Sequence, residues 1–500
     1  MVHLSCVHRN ISHSCHHNHH GSNNNDFGSD NHNRGTYDDF GSDHNDGADN
    51  NSGAAAPTLS DWQLLGLTGL DSTKAGLLSD VVDGKQASDV NSVGALQSLA
   101  DAIATVFSPT TDTTATSAQI NALVSGQIPT GASTALTPNA VTDDALAAVR
   151  NAIHAANSDG TPIASQQELA DVVKAALDAY NSAINKIADY AETGVSAPTT
   201  TDYAAAGVTG VTAANLAAVN DAINSQTGSD STLGNANDRT GADTAAEVQA
   251  IVNAYNKILS AADGTDSNAT ATPTAGDYTA IGVTGVDAAT AALLSDVIDG
   301  KPTGAVDTVA EVQALADAAK AVLGYDDPAT DTAPTKDQIN ALVSGQTTGG
   351  STLNNPVTDD ALKAVQQAID AANSDGSPIA SQAELASVVN NALQAYQSAL
   401  NAISAAAEAD SASSTTPTTS QYADAGVTGV DSSNVAAINS SLNTAPVNGD
   451  AVDTAAEIQP IVNAWNDILA EANDQDGSAG DSVGDVTPNS DPTAVQYAAI

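Results

Sequence analysis

Residues equipped for chemistry fall into two unequal groups. Within residues 1–56, His16, His17, His19 and His20 cluster beside Cys15, nitrogen and sulfur donors suited to zinc, nickel or copper. They lie in a tract rich in His, Asn, Asp and Gly, where Asp26-Phe-Gly-Ser-Asp30 returns as Asp39-Phe-Gly-Ser-Asp43. Asp43-His-Asn-Asp-Gly47 is one residue short of an acidic calcium loop. Such composition cannot bury a core, so residues 1–56 are expected to be disordered and their metal affinity adventitious.

Past residue 56, histidine occurs once, at His154, and cysteine not at all. The counterpart of His154 on a near-identical later stretch is Asp370, so the position reads as solvated surface. One histidine and no cysteine cannot assemble a Ser-His-Asp or Cys-His arrangement. There is no Walker A or dinucleotide fingerprint, and Gly207-Val-Thr-Gly210 reads as a turn, not a phosphate cradle. The segments Ala155–Gln166 and Ala371–Gln382 put Asn, Asp and Gly at positions 3, 5 and 6 of an EF-hand. Position 1 is Ala and position 12 is Gln, so the first ligand and the bidentate Glu are missing. Both read as helix–helix loops with an Asx turn and a capping Ser. The expectation is a non-enzyme with no catalytic, cofactor-binding or metal site, and at most weak calcium association with acidic linkers.

Charge narrows the partners. Thirteen Lys and Arg against sixty Asp and Glu give a net charge of -47. That field repels phosphate backbones and anionic lipid, which argues against nucleic acid as a partner. No apolar run reaches membrane-spanning length, so no membrane insertion is expected. The N-terminus has no apolar stretch of signal-peptide type. Only 3% of residues are aromatic and much of the apolar content is Ala, which favours many small helical units over one large core.

The elements that would position any site are repeats. Pro198-Thr-Thr-Thr-Asp-Tyr203 leads into Gly207-Val-Thr-Gly-Val211; the pattern recurs at Pro273 into Gly282 and at Pro417 into Gly426, and diverges at Pro57 into Gly66. A variant opens on Ile120-Asn-Ala-Leu-Val-Ser-Gly-Gln127 and again on Ile339-Asn-Ala-Leu-Val-Ser-Gly-Gln346. The interval from Tyr203 to Tyr278 equals that from Tyr422 to Tyr497, and the interval from Tyr203 to Tyr422 equals that from Ile120 to Ile339. The repeats are therefore grouped in threes, and the triplet is duplicated. The boundaries read as 57–115, 116–197, 198–272, 273–333, 334–415 and 416–490, with 491–500 opening a seventh repeat. That last opening stops within its first helix, which reads as part of a longer repeat protein.

Each repeat predicts three helices. Pro-Thr opens a short one, and Gly207 closes it. Leu216, Val219 and Ile223 mark one face of a second. Thr244-Ala-Ala-Glu247 is a capping box for a long third, lined by Val248, Ile251, Val252, Tyr255 and Ile258. The box returns at Ser165, Thr308, Ser381 and Thr454, and Pro460 is expected to kink the last long helix or delay its start. Tyr180, Tyr255, Tyr396 and Trp465 read as the core anchors of their bundles. The polar stretches 263–272 and 474–485 read as flexible linkers, making the chain independent beads. The fold class is therefore all-α, a tandem array of small three-helix bundles after a disordered tract.

The P-T-x-x-D/Q-Y-x-x-x-G-V-T-G-V opening and the D-T-A-A-E-V/I-Q-x-I-V-N-A-Y/W-N-x-I-L helix resemble repeats of giant bacterial surface proteins, acidic and cysteine-poor adhesin-like chains. The unit is also similar to GA-like three-helix modules. The resemblance covers residues 57–500. It implies a cell-surface or secreted location and repeats that act as a stalk or spacer; the array is expected to be monomeric. As the alternative, it implies a repeated module whose helix faces bind host, matrix or other cell-surface proteins.

Overall fold

The computed structural model describes residues 55–226, 241–265, 271–348, 350–408, 416–444, 447–473 and 493–499. The readings made on residues 1–54 and 474–485, including the His/Cys cluster, lie outside them. Residues 57–115 hold α1 (Leu59–Leu64), α2 (Ser72–Asp83) and α3 (Val93–Val106); residues 116–197 hold α4 (Ser117–Val124), α5 (Leu146–Ser158) and α6 (Gln166–Thr193). Next come α7 (Thr200–Ala205), α8 (Leu216–Asn224) and α9 (Ala245–Ala261), then α10 (Ala275–Ala280), α11 (Ala288–Asp299) and α12 (Val309–Leu323). The fifth repeat has α13 (Lys336–Val343), α14 (Leu362–Ser374) and α15 (Gln382–Glu408); the sixth has α16 (Thr419–Asp424), α17 (Val435–Leu442) and α18 (Ala455–Asn473). A last short helix, α19 (Ala494–Ala499), opens the seventh. The only strands among the described residues are the antiparallel pair Thr347–Thr348 and Ser351–Thr352. The all-α array of three-helix units is what the periodicity predicts.

Local chemistry explains the starts and stops. The first helices α1, α4, α7, α10, α13 and α16 begin after Thr58, Thr116, Thr199, Thr274, Thr335 and Thr418, each in a capping box with Asp or Gln three residues on. Such a cap is worth about 1 kcal/mol, which matters for a six- or eight-residue helix. Thr244, Thr308 and Thr454 cap the long helices α9, α12 and α18 through Glu247, Glu311 and Glu457. Ser92 caps α3 without a Glu partner. Pro460 does not delay α18, which starts at Ala455 with Pro460 inside it. The Thr454 hydroxyl already secures the amide of Glu457, so the start is set before the proline.

The repeats are not beads. A first core gathers Trp62, Leu78, Ile103, Ile120 and Ile153 with Leu169 and Val173 from the first half of α6. A second core takes Tyr180, Ile184 and Ile187 from the other half of α6, crosses the third and fourth repeats, and ends on Leu385 and Val389 of α15. A third takes Tyr396, Leu400 and Ile403 of α15 with Tyr422, Ile438 and Val462. Leu177 packs against the first two cores and Leu393 against the last two. At 28 and 27 residues, α6 and α15 are each about 40 Å long, enough to serve a core at each end. The expected independence therefore fails. Composition shows a polar linker but not where it lies. The described start of the 263–272 linker is itself tied down, the Gly264 amide donating to the Lys301 carbonyl at 3.0 Å.

Candidate functional site

The feature repeated along the array is the junction between successive repeats. The third helix of each unit packs on the first helix of the next, as α6 on α7, α9 on α10, α12 on α13 and α15 on α16. The Gly-Val-Thr-Gly loop closes that contact. Gly207 and Gly210 have φ of +76° and +84°, which a side chain resists. A Cβ on Gly207 would sit 2.6 Å from the Ala148 amide nitrogen in α5 of the preceding repeat. The loop's Thr is clamped at both backbone groups by a Gln on its own third helix. The Thr209 amide donates to Gln249 Oε1 at 2.8 Å, and Gln249 Nε2 donates to the Thr209 carbonyl at 3.0 Å. Thr68 with Gln97, Thr284 with Gln313 and Thr428 with Gln459 repeat it. This spends the loop amides on the fold, in keeping with a turn.

Carboxylates reach across the junctions as helix caps. The Val309 amide at the start of α12 donates to Asp221 Oδ2 of α8 at 2.6 Å, and the Gln382 amide at the start of α15 donates to Asp296 Oδ2 of α11 at 2.6 Å. Ala246 in the first turn of α9 donates to Asp144 Oδ1 at 3.3 Å. A carboxylate there meets both free amides and the positive end of the helix dipole. Lys186 of α6 pairs with Asp202 of α7 at 2.6 Å, and Lys257 of α9 with Asp277 of α10 at 2.7 Å. Burial pushes the Asp202 and Asp277 carboxyls up. The bonds from the lysines and from Thr199 and Thr274 outweigh it and hold both below the usual range. Of the aromatic anchors, Tyr255 reaches across a junction, whereas Tyr180 and Trp465 bond within their own repeats. The Tyr255 hydroxyl donates to the Val306 carbonyl of the next repeat at 3.2 Å, and Tyr180 donates to Asp144. Trp465, only partly buried, donates to Ser441 Oγ at 2.6 Å.

His154 is a correction. Its side chain is 45% exposed, yet Nδ1 lies 3.0 Å from Oδ1 of Asp112, whose side chain has no exposure. Asn157 Nδ2 donates to the other Asp112 oxygen at 2.8 Å and to the Val106 carbonyl at 2.9 Å. A carboxylate orienting an imidazole is half of a catalytic triad; among the described residues no hydroxyl or thiol hydrogen-bonds the ring. The matched Asn373 instead donates to the Val322 and Tyr325 carbonyls, so the cluster acts as a tie between repeats. Sequence reasoning missed Asp112 because the carboxylate lies 42 residues away, in a loop of plain Thr and Asp. In the EF-hand-like loops, Asp159 and Asp375 accept the amides of Thr161 and Ser377 at 2.8 Å, which is the Asx-turn geometry.

A groove of about 820 Å³ runs between α3, α4 and the 138–143 segment, with Leu99, Ala102 and Val141 as its apolar wall and Lys85, Asn121 and Asp143 among its polar lining. Burial pushes the Lys85 amine down. Between the fourth and fifth repeats the matched lysine, Lys301, donates to the Ala341 carbonyl at 2.9 Å, and Lys336 pairs with Asp359 at 2.7 Å. The groove therefore differs between the two copies, whereas the junction recurs. Among the described residues no three His, Cys, Asp or Glu side chains converge as metal ligands would. No helix among them is long and apolar enough to cross a membrane. No family model, curated protein or solved structure matches this chain.

Proposed function

We propose that residues 57–500 are a structural spacer, the stalk region of a large surface or secreted adhesin-like protein, with no chemistry of its own. The observation that carries this reading is the sharing of α6 and α15 between neighbouring cores, which couples each repeat to the next. A spacer needs such coupling, because flexible joints would let its ends collapse together. The acidic surface would keep neighbouring stalks apart and soluble.

The competing reading, a repeated module that grips other surface or matrix proteins, calls for an exposed apolar patch at matched positions of successive units. Among the described residues the large exposed apolar side chains lie at the ends of the array, as Leu64, Leu65, Val495 and Tyr497 do, or singly, as Val93, Ile128 and Val195 do. None forms a patch repeated from unit to unit, which favours the spacer. The test is the distance distribution between spin labels placed in α2 and α18 of a chain freed of Cys6 and Cys15. One narrow distance, unchanged by millimolar calcium, is expected. A broad distribution, or one that narrows only with calcium, would refute the spacer.

A further inference from the structure

The outer face of the first repeat has the features of a junction with no preceding repeat among the described residues. Seven residues after each capping Thr, the first helices carry Leu65, Leu123, Ala206, Ile281, Leu342 and Ala425. The last five are fully buried, while Leu65 is 49% exposed and its neighbour Leu64 is 87% exposed. The glycines of the shared Gly-Val-Thr-Gly loop tell the same story, although Gly126 and Gly345, after the first helices of the second and fifth repeats, also have nothing within 4 Å of an added Cβ. A Cβ on Gly207, Gly282 or Gly426 would come within 2.6, 2.5 and 3.0 Å of Ala148, Ser225 and Ala364 in the preceding repeat, but one on Gly66 would meet nothing within 4 Å.

Charge then narrows the partner. The residue three after the capping Thr is Asp61, Gln119, Asp202, Asp277, Gln338 and Gln421 in the six repeats. Where it is Asp202 or Asp277, the preceding third helix supplies Lys186 or Lys257. Before Gln119 and Gln421, the preceding helices α3 and α15 contain no Lys or Arg. Before Gln338, Lys320 of α12 lies against the loop of its own repeat, beside Gly285 and Asp287. Asp61 belongs to the lysine-matched class, and its carboxylate accepts from Thr58 alone among the described residues.

We propose that Asp61, Leu64, Leu65 and the Gly66 turn form a docking surface for a helical repeat of this same kind on another polypeptide, one whose third helix carries a lysine opposite Asp61. The chain's own last long helix is a poor occupant, because Asp467 stands where α9 has Lys257, and two carboxylates would face each other. The inference goes beyond the spacer reading and fails separately from it.

The full chain would be titrated by calorimetry with two helical probes, residues 57–197 and 57–262. They end on α6 with Lys186 and on α9 with Lys257, and each carries Leu65→Asp so that it cannot pair with itself. Both probes should bind the full chain. Leu65→Asp in the full chain should abolish binding, and Asp61→Lys should weaken it by about fivefold, the upper range for a partly exposed ion pair. The unmodified chain alone should stay monomeric. The proposal is overturned if neither probe binds while both are helical by circular dichroism, if Asp61→Lys binds as tightly as the parent, or if the unmodified chain pairs with itself end to end.

Discussion

A matched pair of glycine substitutions separates a coupled array from independent bundles. Gly66 and Gly207 occupy the same turn of the first and third repeats, with φ of +90° and +76°. Alanine at either site must hold a left-handed backbone, at a cost of about 1–2 kcal/mol. The sites differ only in their surroundings. At Gly66 the new methyl meets open space, whereas at Gly207 it lies 2.6 Å from the Ala148 backbone nitrogen and 3.0 Å from the Ala147 Cβ. Neither neighbour is the movable tip of a long side chain, so α5 or the loop must shift, at a further cost of about 1–3 kcal/mol. Gly207→Ala should therefore cost about 2–5 kcal/mol in all and Gly66→Ala about 1–2 kcal/mol. Hydrogen exchange by mass spectrometry is the suitable assay, because it reads opening repeat by repeat where a single melting curve averages over the array. In Gly207→Ala, protection should fall in α7 and also in α5 and α6 of the preceding repeat; in Gly66→Ala, only in α1 and α2. Equal losses at the two sites, within about 0.5 kcal/mol, would refute the coupled-junction reasoning.

Other perturbations test the same junctions. Asp296→Ala strips the Gln382 amide of its carboxylate partner and should cost about 1.5–3 kcal/mol, seen as faster exchange at the start of α15. Tyr255→Phe leaves the Val306 carbonyl without its hydroxyl donor; about 1–2 kcal/mol should be lost, with α9 and α12 both exchanging faster although only α9 is altered. Asp202 and Asp277 titrate below their unfolded value, so the stability they contribute is present above that value, about 3.9, and is lost as pH falls through the lower folded value. An acid titration followed by circular dichroism should show this loss, and Asp202→Asn with Asp277→Asn should flatten it.

Much of the architecture is legible in the residue order because its signals are local. A Thr followed three residues later by Asp, Gln or Glu caps a helix where an apolar-periodic run follows, as at Thr199 and Thr244 but not at Thr284 with Asp287, and the glycines of Gly-Val-Thr-Gly can stop one. The sites were harder to read. His154 looked like a solvated position because its alternative, Asp370, is polar, yet its partner Asp112 is buried beneath it. The Gln of the Glu-Val-Gln triplet carries no signal in the sequence analysis, and it clamps the turn of its own repeat.

What the sequence determined by itself is the unit: three helices, their caps, the turn between the first two and the interval at which they recur. These follow from contacts within a few residues, or from comparing one repeat with the next. Only the tertiary structure decided that the units share cores, that α6 and α15 each belong to two of them, and that Asp221 and Asp296 cap long helices of the repeat that follows their own. The physical reason is that an apolar helix face specifies burial but not the surface that buries it. An Ala-rich helix with one continuous apolar stripe satisfies a bundle of its own or two neighbouring cores equally well on paper. The choice is made by which surfaces fit when the whole array packs.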